Sequence, residues 1–297
     1  MLLISLLLRL HQLRSTNNQN YIMHQTLFVF DIETIPDTQA AYNLTGTTQT
    51  DEAALREELE NYHLAITDGK NAFLRQPFHK VVAISFLVAQ IDRSSDGEQY
   101  HFKELRSGGE EGATEKELIE GCFSYLSKIK PRFVSFNGRT FDIPVMKYRA
   151  MKYGIAVPWY YNSGDKWNSY SSRYSLDWHC DLIDGLSDFG ASARIKLNEV
   201  CAILGFPGKF GVDGGKVSQM FDNGEIKAIR DYCETDVLNT YLVYLRYMQH
   251  RGELSKKNYN KAIDDVLMLI ENEGNKRTHL KEFYDAWKDS CGGVFDL

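Results

Sequence analysis

The sequence predicts an α/β fold, a mixed sheet flanked by helices, and three observations carry that expectation. Three β-rich runs, residues 27–35, 80–91 and 99–105, come before any long amphipathic helix. Residues 114–129 then set Leu118, Ile119, Cys122, Phe123, Leu126 and Ile129 at three-and-four spacing, a helix with one apolar face. A fourth short apolar run, residues 132–137, follows, and helical patterns continue to the end. Few layer architectures accept that order, and a central sheet with helices outside is one.

Taken in order, residues 27–35 (LFVFDIETI) read as a strand that ends at Pro36. Residues 37–76 combine a turn-rich stretch, NLTGTT, with an acidic helical stretch at 51–63 that Asp51 or Thr50 would cap. This is a surface excursion rather than a domain. Residues 80–91 (KVVAISFLVAQI) are nearly all apolar, and a polar turn, RSSDGE, joins them to the alternating run 99–105 as a hairpin. Residues 143–153 are helical, 159–174 form an aromatic loop, and 181–187 and 196–204 are helical again. A glycine-rich stretch at 205–215 leads to the longest helix, 225–249, with Asn223 as cap and Ile226, Ile229, Cys233, Val237, Thr240 and Tyr244 on one face. Residues 258–290 supply two more helices.

The chain has 297 residues, 43% hydrophobic and 25% charged, enough for a full globular core. Its 34 Lys and Arg against 40 Asp and Glu give a formal charge of −6, which excludes a binder that works by coating a polyanion with basic charge. A nucleic-acid enzyme stays open, because metal ions can supply the positive charge. The cysteines, Cys122, Cys180, Cys201, Cys233 and Cys291, are odd in number and none stands at CxxC spacing, so neither a disulfide framework nor a zinc ribbon is expected. Scattered cysteines suit a reducing compartment, and the cytoplasm is the default. The apolar run at residues 2–10 is too short to span a bilayer and lacks the flanks of a secretory signal, so no membrane association is expected. The first strand begins within five residues of Met23. Residues 1–22 are therefore read as an unstructured or misassigned extension, 23–255 as one domain, and 256–297 as helices packed on it.

The chemistry concentrates in three places. Asp31 and Glu33 are two apart on a strand, so both side chains point to one face among apolar neighbours. Buried carboxylates need compensation, either a metal ion or, in the plainer reading, a helix N-terminus or an arginine. Asp142 lies where a helix begins, after the turn Asn137-Gly138; taken singly it is an N-cap, and Asn137 a turn former. Tyr232 and Asp236 sit one turn apart on one face of the longest helix, whereas Glu234 falls on another face and is read as solvated. Together, Asp31, Glu33, Asp142 and Asp236 would make an oxygen-rich cage for two hard divalent cations, Mg²⁺ or Mn²⁺.

These residues are also recognisable as motifs. DIET at 31–34, NGRTFD at 137–142 and YCETD at 232–236 resemble the three exonuclease motifs of the DEDD superfamily, tyrosine subclass. The chain is most similar to stand-alone 3′–5′ exonucleases like the proofreading domain of family-B DNA polymerases. The linking segments PFHKVVAIS, SRYSLDWHCDL, LGFPGK and DVLNTYLVYLR share the resemblance, which runs from about residue 27 to 255. It implies a ribonuclease H-like fold with a five-stranded mixed sheet. It also implies that Asp31, Glu33 and Asp236 hold a first metal, that Asp31 bridges to a second, and that Asp142 acts mainly through a bound water. Tyr232 would orient or help deprotonate the attacking water. Thr34, the backbone near Ile32, Asn137 and Phe141 would line the pocket for the terminal nucleotide. The implied reaction releases 5′-nucleoside monophosphates from the 3′ end of single-stranded DNA. The alternatives are the same chemistry on RNA and a catalytically inactive nucleic-acid-binding module.

Other candidates carry plainer readings. His179 and Asp181 suit a structural histidine and a capping aspartate. For Lys209, Lys216 and Arg173 solvated surface charge is the default over phosphate contact. The aromatics Trp159, Tyr160, Tyr161 and Trp167 divide between guiding a strand and packing over the sheet, and residues 211–215 fit no nucleotide-binding loop.

Overall fold

The computed structural model describes residues 24–209 and 214–297; the expected extension at 1–22 lies outside the described residues. Among the described residues five strands form one sheet: β1 (Thr26–Pro36), β2 (His79–Ser94), β3 (Gly97–Ser107), β4 (Arg132–Ser135) and β5 (His179–Asp181), in the order β3-β2-β1-β4-β5. β2 runs antiparallel to both β1 and β3, while β4 lies parallel to β1 and to β5. This is the mixed five-stranded sheet of a ribonuclease H-like domain.

Alternation along β1 divides the interior in two. Leu27 and Val29 join a core with the helices α9 (Ile226–His250), α10 (Lys256–Glu273) and α11 (Thr278–Cys291). Phe28, Phe30 and Ile32 face the opposite way, into a core with α3 (Glu115–Ile129) and α4 (Asp142–Lys152). Asp31 and Glu33 continue the first face, under α9. The remaining helices are α1 (Thr38–Thr45), α2 (Glu52–Ile66), α5 (Pro158–Asn162), α6 (Leu182–Leu186), α7 (Leu197–Leu204) and α8 (Val217–Asp222).

Local chemistry explains most boundaries. Asp51 caps α2 by accepting from the Ala54 N–H at 2.9 Å, and Thr114 with Glu117 forms a reciprocal capping box at the start of α3. Several expectations need correction. The first half of the NLTGTT stretch, Asn43 to Thr45, belongs to α1, which Gly46 ends with φ +68°. The loop at 159–174 contains α5. β5 is not among the expected strands, and only its last residue, Asp181, falls in the run expected to be helical; three residues are too few to show alternation, and the strand exists because Phe133, Val134 and Ser135 pair with His179, Cys180 and Asp181. Asn223 does not cap the longest helix. It closes α8, and Glu225 precedes α9 without a side-chain cap, because Gly224 turns the chain between them at φ +75°.

All five cysteines are free. Among the described residues no helix is long and apolar enough to cross a membrane.

Candidate active site

The site forms where β1 leaves the sheet interior beneath α9. A register shift between Glu33 and Thr34 follows the acidic pair directly. Asp31, Glu33 and Cys233 each offer a ligand atom, all within 4.8 Å of one another. Asp142 enters from the start of α4. It is the first helical residue, not the N-cap; its carboxylate meets its own backbone N–H, and its Oδ1 accepts the Ile32 N–H at 3.2 Å, tying α4 to β1. Tyr232 and Asp236 descend from α9, both buried, as their one-turn spacing requires. The structure therefore brings Asp31, Glu33, Asp142, Tyr232 and Asp236 together beneath α9, on the central strand of the sheet.

Lys209 also belongs here, which the sequence reading missed. Its Nζ lies 2.6 Å from the Tyr232 hydroxyl and 3.0 Å from Asp236 Oδ2. A latch presents it: buried Asn239 on α9 accepts from the Gly208 N–H at 3.0 Å and donates to the Gly208 carbonyl at 2.8 Å. Gly208 has φ +67°, and a Cβ there would come within 2.3 Å of Asn198 Oδ1, so only glycine fits.

Burial is the main cause of the site's electrostatics. It drives the Asp31 carboxyl well above the usual range, and Asp142, Glu33 and Asp236 push in the same direction. Glu33 is raised by burial and then by Asp236, and Asp142 is pushed up to about 7, mainly by burial. Burial raises Asp236 too, and Lys209 only partly offsets it. Converging carboxylates with a single lysine are starved of positive charge. Among the described residues Asp236 Oδ1 is buried without a hydrogen-bond partner. An unsatisfied oxygen among like charges, in a donor set dominated by carboxylates, fits hard divalent cations.

The pocket residues are placed with their supports. His79 Nε2 faces the Leu74 carbonyl at 3.0 Å, so it is the ring donor, and Nδ1 accepts from the Thr34 hydroxyl at 2.9 Å. The Phe141 ring packs edge-on to His79 at 4.8 Å, and Phe73, 62% exposed, sits beyond it at 5.8 Å. Asn137 takes a left-handed φ of +74°. Its N–H and that of Arg139 donate to the two oxygens of Asp181, and its Oδ1 accepts from Arg194 at 2.8 Å. Ile32 supplies the N–H that Asp142 accepts.

Asp181 also caps α6 through the Ile183 N–H, and His179 is buried against the Ser135 hydroxyl at 2.7 Å, so both carry the structural roles expected of them. Arg173 is turned to the Phe189 carbonyl and Asp184. Tyr160 is buried and Trp159 packs against the core, whereas Tyr161 and Trp167 are exposed. Glu234 is a clear correction. It is 6% exposed rather than solvated, held by Ser107 of β3 on one side and by Arg277 and His279 at the start of α11 on the other.

Comparison with protein families matches residues 71–287, well over half the chain, to a family described as a predicted 3′–5′ exonuclease related to the exonuclease domain of PolB. The chain belongs to this family. A search of curated proteins finds no match. The family match takes in Asn137, Phe141, Asp142, Lys209, Tyr232 and Asp236, and stops short of β1. Asp31 and Glu33 lie outside the match and stand beside matched residues of α9 through the fold alone. As an exonuclease-family domain the chain is a nuclease, and nucleic acid is its substrate class.

Proposed function

We propose that this exonuclease-family chain is a metal-dependent 3′–5′ exonuclease that releases 5′-nucleoside monophosphates from the 3′ end of single-stranded DNA. The observation that carries the reading is the convergence of Asp31, Glu33, Asp142 and Asp236 from one strand and two helices, with an unsatisfied Asp236 oxygen and Tyr232 one turn away. Asp31, Glu33 and Asp236 would hold one cation, and Asp31 with Asp142 a second. Two such cations supply hydroxide near neutral pH and stabilise the leaving 3′ oxygen. They would also cancel the charge of the four acids, leaving the −6 chain at about −2.

The chain's own residues supply position. Burial, with Asp236 and Glu33, holds the Tyr232 phenol far above its ordinary range despite Lys209. It is therefore a neutral hydrogen-bonding group, suited to orienting water rather than to taking its proton as a phenolate. Burial would lower the Lys209 ammonium, but Asp236 and Tyr232 outweigh it and keep it charged. It steadies both the phenol oxygen and the carboxylate beside it. Thr34, Asn137 and Phe141 line the space where a terminal nucleotide would sit, and the Phe73 and Phe141 rings offer faces for a base. Free cysteines accord with a reducing, cytoplasmic setting.

The test uses 5′-labelled DNA and RNA oligomers with Mg²⁺, Mn²⁺ or EDTA, beside Asp31→Ala. The expected result is a ladder shortening from the 3′ end of DNA, dependent on metal and lost in the variant. Faster degradation of RNA would move the reading to an exoribonuclease. Absence of a metal-dependent ladder on either polymer would refute it.

A further inference from the structure

A polar row crosses the sheet under α9 and ends at Asp31. Asp31 on β1 is the cross-strand partner of Ser85 on β2, and Ser85 is the partner of Ser107 on β3, so the register alone aligns the three side chains. Ser85 and Ser107 are both buried. α9 closes the row at both ends. Glu234 Oε1 accepts from the Ser107 hydroxyl at 2.9 Å, and the Cys233 thiol, which also meets Ser85, lies 3.7 Å from Asp31 Oδ2 and 3.4 Å from the Asp31 carbonyl. The far end is anchored by the start of α11. Arg277 and His279 both donate to Glu234 Oε2, the imidazole at 2.8 Å.

Proton counting gives this row a direction. A carboxylate paired with a guanidinium only accepts, so the single Ser107 proton goes to Glu234. The 2.8 Å contact between Ser85 and Ser107 must then use the Ser85 proton. Both hydroxyls therefore donate toward α11, and neither donates toward Asp31. Ser85 then has no proton left for Cys233, and the weak thiol donor, set against the Asp31 carbonyl and carboxylate, is the last link of the row.

We propose that Glu234, Ser107 and Ser85 are positioning residues that keep strong donors directed away from Asp31, so that its oxygens stay free for a cation. The proposal rests on the cation-binding reading of the site above. It gives the C-terminal helices a part in the site: through Arg277 and His279 they fix the anion that sets the direction of the row. Groups that support metal ligands without touching the metal commonly change affinity by about 10–100-fold when altered.

The experiment is Mn²⁺ binding by isothermal titration calorimetry on the full chain, unsubstituted and carrying Glu234→Gln, Cys233→Ala or both, with thermal melts as a folding check. In Glu234→Gln the amide oxygen takes Arg277 and His279 and the amide nitrogen donates to Ser107. The row then reverses and Ser85 donates to Cys233, which strengthens the thiol as a donor to Asp31. Affinity should fall about tenfold. On the Cys233→Ala background the last link is gone, and the same substitution should change affinity by less than about twofold, a non-additivity that a merely structural role would not produce. Ser107→Ala, a smaller change, should weaken binding in the same direction as Glu234→Gln. Unchanged affinity in Glu234→Gln and Ser107→Ala, or equal losses with and without Cys233, would overturn the proposal. An unsubstituted chain that binds no Mn²⁺ would overturn the cation reading and the proposal together; binding that is lost in Asp31→Asn but indifferent to Glu234 would overturn the proposal alone.

Discussion

Replacing Asp142 by asparagine should stabilise the cation-free protein while disabling it. Asp142 is buried, and its carboxyl is pushed up from 3.8 to about 7. In the unfolded chain the group has lost its proton above about pH 5; in the folded chain it keeps it until about pH 7. The folded state therefore binds more protons across that window, and stability falls as pH rises through it. A shift of about three pK units at 1.36 kcal/mol each is a penalty of ~4 kcal/mol above pH 8. Asparagine has the same shape, its amide oxygen can still accept the Ile32 N–H now held at 3.2 Å, and it carries no charge. Thermal melts in EDTA at about pH 8 should show Asp142→Asn more stable by ~2–4 kcal/mol, a rise of roughly 5–10 °C. Near pH 4 the difference should shrink to under ~1 kcal/mol, because the carboxyl then keeps most of its proton in both states, and added Mg²⁺ should raise the wild type more than the variant. A variant less stable than the wild type at the higher pH, or two parallel melting curves across the range, would refute the claim that buried charge is the strain cations relieve.

Three further outcomes follow from named contacts. Lys209→Met removes the 2.6 Å and 3.0 Å contacts to Tyr232 and Asp236 and should lower kcat on the order of 10²-fold with KM little changed, read by steady-state kinetics. Tyr232→Phe should slow single-turnover cleavage while Mn²⁺ binding measured by calorimetry stays near wild type; unchanged turnover would remove the phenol from the chemistry. Asn239→Leu leaves the Gly208 N–H and carbonyl without partners and should cost about 2–3 kcal/mol in urea melts, with a kcat loss approaching that of Lys209→Met because the turn carrying the lysine is released.

The parts of the site that local periodicity controls were legible. A period of two put Asp31 and Glu33 on one face of β1, and a period near 3.6 put Tyr232 one turn from Asp236; both placements depend only on neighbours in the chain. What was not legible depends on distant residues. Lys209 looked like surface charge because its position is set through the Gly208 turn by Asn239, 31 residues beyond that glycine. Glu234 looked solvated because a helical wheel with one buried face leaves it outside. α9, however, is covered by the sheet on one side and by α10 and α11 on the other, so most of its circumference is buried. Asp142 resembled a cap because acids at helix starts usually are; here Ile32, from a strand remote in sequence, competes for the carboxylate. β5 has three residues and exists only through its partner.

The most direct test of the central claim is anomalous diffraction from crystals of the full chain soaked in Mn²⁺. Two manganese peaks about 3.5–4 Å apart, with Asp31 between them and Glu33, Asp142 and Asp236 around them, are the predicted result. Manganese absent from this cage, or bound only at the separate Asp231, Glu234 and His279 cluster, would contradict the account.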